Sequence, residues 1–383
     1  MKRKCVQQTT IVRIVALISL LGAYIPGFSL SAASPSPALL KAKQEAEAAG
    51  YSFPVSHDVI VAEAKKEGKL RVLGSFESTT YNAVIAAFKK RYPFIDVYEE
   101  DMTGAVEPRR FLLELKAGRA TEWDVFNLAP DFWTDGIPLT KKFDLMGMAT
   151  HKVLAIPPAM IDPKHRTIVS MGSSIHAIGY NRNLIPDDKV PHSWEDFLKP
   201  EFKGKKFLVD IRPLGFAAFA AGLGEKWALD YAAKIASQDP VWILGQSRSL
   251  TAIASGAHTM LHLAYYHSCM RAAKKDPTGT LQCKVIEPVP GRLQEFGTVS
   301  ASALHPYSSL LWLEFQATPE GQKVISNYEP FNASIYSSES GLAKVIEGKK
   351  LSMNDWDTLH NTDAWLQLVF KTFGLPKADD GKK

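Results

Sequence analysis

From residue 59 onward the apolar residues switch repeatedly between two periods. "KLRVLGSF" is an apolar-rich run of strand length, and in "TTYNAVIAAFKKRYP" Val84, Phe88 and Tyr92 recur four apart, the spacing of one helix face. "IDVYEED" predicts a second strand, "VEPRRFLLELKAGR" a second helix closed by Gly118, and "WDVFNLAP" a third strand. A helix ahead of them, Ala62–Gly68, ends on its glycine. Strands alternating with amphipathic helices predict an α/β lobe with a largely parallel sheet.

The middle of the chain repeats the pattern. "HAIGYNRN" predicts a strand, and Ser193 caps a helix in "HSWEDFLKP", with Asp196 as its capping-box partner. "KKFLVDIRP" is a strand running into the apolar helix "LGFAAFAAGLG", and "EKWALDYAAKIAS" is a further helix. "SRSLTAIASG" is a short helix before the strand "HTMLHLAYY"; "CKVIEPVP" and "GTVSASAL" are strands. Pro306 and Pro319 each open a helix, the second capped by Thr318.

The first 33 residues change the picture of the charge. Lys2, Arg3 and Lys4 precede an apolar stretch from Ile14 to Ile25, and Ser31-Ala32-Ala33 supplies the small residues of a cleavage site, the pattern of a secretory signal peptide cleaved near Ala33. Removing it takes away four basic residues and no acid, so the formal charge falls from +5 to +1. A nearly neutral mature chain gives no sign of a nucleic-acid or membrane-surface partner. Cys5 leaves with the leader, and Cys269 and Cys283 remain, predicted to form one disulfide in an oxidising compartment. Metal ligation by that pair is the weaker reading, since no second thiol or histidine pair accompanies it.

Catalytic signatures are missing. "MGSSIHAIG" is not the G-x-S-x-G elbow, and the chain has no H-E-x-x-H, P-loop or G-x-G-x-x-G motif. His262 and His267 flank a double tyrosine, Tyr265-Tyr266, at a spacing that matches no zinc site. Two adjacent phenols converge only where a strand ends and bends, so the pair is either packing or a clamp.

Several segments together resemble one family: "AKKEGKLRVLGSFEST", "IAAFKKRYPFIDV", "AGRATEWDVFN", "IGYNRNLIPDDKVPHSWEDFLKPEFKGK", the "YY" after "IASG", and "HPYSSLLWLEFQATPEGQ". They resemble periplasmic solute-binding proteins of bacterial ABC importers, specifically the ferric-iron-binding branch. The resemblance implies a two-lobed α/β, Venus-flytrap fold with ligand in the interlobe cleft. It divides the chain into a linker and helix at 34–58, lobe 1 at 59–175, lobe 2 at 176–288, and a return to lobe 1 with C-terminal helices at 289–383. It also implies a monomeric periplasmic receptor that hands its ligand to a membrane permease and catalyses nothing.

By the same resemblance, Tyr265 and Tyr266 match the tyrosine pair that ligates Fe³⁺, and Glu77 stands where the family often carries a further ligand. Anionic oxygen suits a small, hard cation, whose charge removes a phenol proton. Glu77 reads equally as a helix-start carboxylate. Ser75, Ser78 and Ser247 are donors for an accompanying anion such as carbonate, phosphate or citrate. Two departures matter: Asp131 is displaced from the place of a second acid, and "DIRPLGF" sets Asp210 and Arg212 where a Ser/Gly helix start is usual. Arg212 can pair bidentately with a synergistic anion, or select an organic carboxylate or phosphonate outright. Tyr180 in "IGYN" resembles the family's crossing-strand tyrosine and reads foremost as packing. Ferric iron is the first reading. A small organic anion is the second, with a polyamine- or thiamine-like cation, which Asp131 and Asp210 would favour, behind it. A periplasmic enzyme on the same scaffold is the third.

Overall fold

The computed structural model describes residues 35–102 and 107–374; the leader expected at 1–33 lies outside them. Ten strands run in chain order: β1 Lys69–Gly74, β2 Asp96–Asp101, β3 Val125–Asn127, β4 Ile168–Asn181, β5 Leu208–Asp210, β6 Val241–Ile243, β7 Met260–Tyr265, β8 Leu281–Lys284, β9 Val289–Val299 and β10 Leu351–Asn354. They lie in the order β2-β1-β3-β9-β4-β7-β5-β6, with β10 beside β9 and β8 beside β4. β2-β1-β3 and β6-β5-β7 are parallel, as the alternating pattern demands, because helices carry the chain back between them.

β4 and β9 join the two parallel groups. β4 is buried along its length; Ile168–Ile175 pairs with β9, and His176–Tyr180 pairs with β7. On one side, Val72, Phe88, Trp312 and Phe315 centre one hydrophobic core. On the other, Trp194, Phe197, Phe216 and Phe219 centre a second, which the C-terminal helix Thr362–Phe373 joins through Trp365, Leu366, Val369 and Phe373.

Local signals are carried through. The helix His57–Glu67 is capped by Ser56 and stopped by Gly68 in the left-handed region at φ 63°. The Ser193–Asp196 capping box forms, although its segment, Trp194–Leu198, winds as a 3₁₀ helix. The expected strands "CKVIEPVP" and "GTVSASAL" are redrawn: one ends at Lys284, and the next runs unbroken from Val289 to Val299. Residues 285–288 between them belong to neither strand. Cys269 and Cys283 form the expected disulfide. Among the described residues no helix is long and apolar enough to cross a membrane.

Candidate ligand-binding cleft

A cavity of about 190 Å³ opens between the two cores. Ser75, beyond β1, and Asn127, at the end of β3, line it from one side, and Arg212, beyond β5, from the other; Arg292, Gln294 and Glu295 of β9 complete it. The carboxyl ends of parallel strands thus face the cavity from both halves, the usual position for ligands in open α/β sheets.

Arg292 Nη2 donates to Gln294 Oε1 at 3.2 Å, and its guanidinium lies 5.8 Å from the centre of the Tyr265 ring. Its Nε is buried with no hydrogen-bond partner among the described residues. A buried charged donor left unmade is costly to the free protein.

Glu295 is the acid of the cavity. Ser75 Oγ and Asn127 Nδ2 both donate to its Oε2, the latter at 3.0 Å. Its backbone is left-handed, φ 55°, in the middle of β9, an uncommon state for a residue with a Cβ. Burial pushes its carboxyl up to about 7, the charge of Glu329 adding to the rise and Ser75, Arg292 and Asn127 opposing it.

A smaller hollow next to it is lined by His176, Asp210, Arg212, Gln246 and Tyr265. Asp210 accepts the Arg212 backbone N–H and the Gln246 side-chain amide, both at 3.0 Å, while Gln246 Oε1 accepts the Tyr265 N–H at 3.0 Å. Burial raises the Asp210 carboxyl. Burial also pushes His176, His262 and His267 down to about 3, so these imidazoles are neutral and the site's positive charge is guanidinium.

A family model of bacterial extracellular solute-binding proteins matches residues 147–362, more than half of the chain. The chain belongs to that family. No curated protein matches it in sequence. Among solved structures it is similar to the apo ferric ion-binding protein A of Pasteurella haemolytica, at 15% identity and TM-score 0.63, over 81% of this chain and 100% of that one. It is also similar to the Trichodesmium IdiA/FutA protein in complex with iron and citrate, at 16% identity and TM-score 0.61, over 79% and 99%. A third is an ABC transporter substrate-binding protein from Bradyrhizobium japonicum, at 15% identity and TM-score 0.60, over 80% and 98%. Likeness at such identity carries the fold, the two-lobed α/β fold expected from the sequence. As a solute-binding protein the chain is a periplasmic receptor working with an ABC permease.

Within this solute-binding protein the expected site residues separate. Ser75 and Arg212 line the main cavity, and Asp210, Arg212 and Tyr265 the smaller hollow. The two tyrosines take different surroundings. The Tyr265 ring lies 5.0 Å from His176 and 5.9 Å from His267, whereas Tyr266 begins the helix Tyr266–Lys275 and sets its ring 5.0 Å from Phe331. Burial raises the Tyr266 phenol.

Glu77 precedes the helix Ser78–Arg91 and pairs with Arg271 Nη1 at 2.8 Å, bridging the two halves. Ser78 is exposed at the start of that helix. Ser247 is the second residue of the helix Gln246–Ala254 and lines neither cavity. Tyr180 is buried in the second core, its hydroxyl donating to Asp187 at 2.9 Å, the packing role expected of it. Asp131 sits in the turn Pro130–Phe132, its side chain outside the described set. Among the described residues no three His, Cys, Asp or Glu side chains gather as a metal site.

Arg292, Glu295, Gln294 and Asn127 escape the motif search. A faint signal exists: Arg292 and Gln294 are polar at i and i+2, hence on one face of an otherwise apolar strand.

Proposed function

We propose that this receptor captures a small organic anion, a carboxylate or phosphonate, between Arg292 and Arg212 and delivers it to its permease. The observation that carries the reading is a cavity lined by two guanidinium side chains, Arg212 and Arg292. Guanidinium is the side chain best matched to a planar or tetrahedral oxyanion. The cavity is smaller than the roughly 300–1,000 Å³ of drug-sized ligand pockets, which favours a solute of few heavy atoms.

A thermal-shift screen of short carboxylates, phosphonates and inorganic phosphate tests it, since a ligand of the folded state raises the melting point. The reading requires a hit that Arg292→Met abolishes; a screen without stabilising anions removes it.

Ferric iron is the second reading, favoured by the ferric ion-binding neighbours and by Tyr265 beside the cleft. Tyr265 and Tyr266 would then be the ligands, with Glu77 released from Arg271 and an anion such as citrate held by Arg212. The divergent tyrosine surroundings and the Glu77–Arg271 pair weigh against it.

A further inference from the structure

We infer that the solute carries an ammonium group as well as its anion: Glu295 receives the ammonium while Arg292 and Arg212 receive the anionic end. This deepens the anion-receptor reading and rests on it. A cavity built for a simple anion has no use for a carboxylate in its wall, which would repel the ligand at close range. Here Glu295 lines the cavity together with both arginines, and it is held there against local backbone preference, at φ 55°. Strain of that kind is retained where the surrounding structure requires a side chain in one place. Ser75 and Asn127 clamp the carboxylate through Oε2 and leave Oε1 without a bond from either.

The surroundings favour an ammonium over a hydroxyl. Behind Glu295 stands Glu329, whose oxygens are occupied by the Glu77 N–H, Thr80 Oγ1 and Asn332 Nδ2. Glu329 therefore contributes negative potential, and it does not itself line the cavity. Arg292 opposes that potential, and Ser75, Asn127 and the Tyr81 phenol are the neutral groups around it. A cation beside Glu295 relieves the repulsion between the two acids, whereas an alcohol leaves it. The cavity thus asks for opposite charges on one short molecule, as in a small amino acid.

Isothermal titration at pH 7 compares ω-amino acids and ω-aminoalkylphosphonates of two to six carbons with the carboxylates and phosphonates in which a methyl replaces the ammonium. The expected result is at least tenfold tighter binding of one amino compound than of its methyl counterpart. Glu295→Gln should bring that ratio close to one, the amino compound losing affinity and its methyl counterpart binding more tightly once the carboxylate's repulsion is gone. Repeating the wild-type titration in buffers of different ionisation enthalpy reads a second signature without any variant. An ammonium lowers the raised Glu295 carboxyl, so binding releases protons. Equal affinities within every pair, or a preference that survives in Glu295→Gln, overturn the inference and spare the anion reading. Failure of both members of every pair to bind at millimolar concentration overturns the anion reading, and this inference with it.

Discussion

Replacing Arg292 by methionine keeps most of the volume of the side chain and removes the guanidinium. In the ligand-free protein the Arg292 Nε is a buried donor without a partner among the described residues. Such a group costs about 1–3 kcal/mol. The guanidinium recovers roughly 0.5–1 kcal/mol through the face of the Tyr265 ring, 5.8 Å away. Arg292→Met should therefore leave the free protein as stable as before, or about 0–2 kcal/mol more stable. By the usual scaling for a chain of this size, that is a rise of about 0–4 °C in melting temperature. Binding moves the other way. A hydrogen bond from a charged donor contributes about 1.5–3 kcal/mol, so the Kd for the anion should rise about 10- to 100-fold. Calorimetric melting of the free protein and titration of the anion read the two effects separately. A drop of several degrees in melting temperature with unchanged affinity would refute the reasoning and make Arg292 a structural residue.

The remaining predictions concern the scaffold. Asp124 is fully buried and accepts from the Arg71, Leu304 and His305 backbone N–H groups and from His305 Nδ1, at 2.8–2.9 Å. Asp124→Ala should cost at least about 3 kcal/mol in urea unfolding; a loss under about 1 kcal/mol would mean that water replaces all four bonds. Serine at both Cys269 and Cys283, 14 residues apart, should cost about 3 kcal/mol by loop entropy, and an unchanged urea midpoint would show the bridge to be dispensable. His57 Nε2 donates to Glu314 Oε2 at 2.8 Å, and this bond holds its imidazolium above the ordinary histidine value. Its contribution is complete below about 6.5, the unfolded value, and disappears as pH rises through the raised folded value. The melting temperature of the wild type relative to His57→Gln should fall between pH 6 and 8.5; a rising difference contradicts the assignment. Glu77→Gln removes the ion pair with Arg271, and because Glu77 is 55% exposed the stability change should stay within about 1 kcal/mol.

Much of the fold was legible because its determinants are local. Gly68 ends a helix, Ser193 and Asp196 close a capping box, and Val84 and Phe88 share a face, each within a few residues of its cause. The strand pairing that brings β4 against β9 is not local, and the start of β9 at Val289 follows from that pairing rather than from the apolar pattern. At the site, Arg212 was visible because it follows a strand and precedes a helix. Arg292 and Glu295 were not, because their meaning comes from Ser75, Asn127 and Glu329, which lie far away in sequence. Glu77 drew attention by position, but it meets Arg271, a partner that no spacing rule supplies.

The central claim, that the cleft is built for an organic anion through its arginines, is tested most directly by titrating iron-free protein with ferric citrate. The visible spectrum and the bound metal are followed together. The account predicts no tyrosinate-to-iron charge-transfer band and no stoichiometric iron retained after desalting. A band that grows to one equivalent and is lost in Tyr265→Phe would contradict it and assign the cleft to ferric iron.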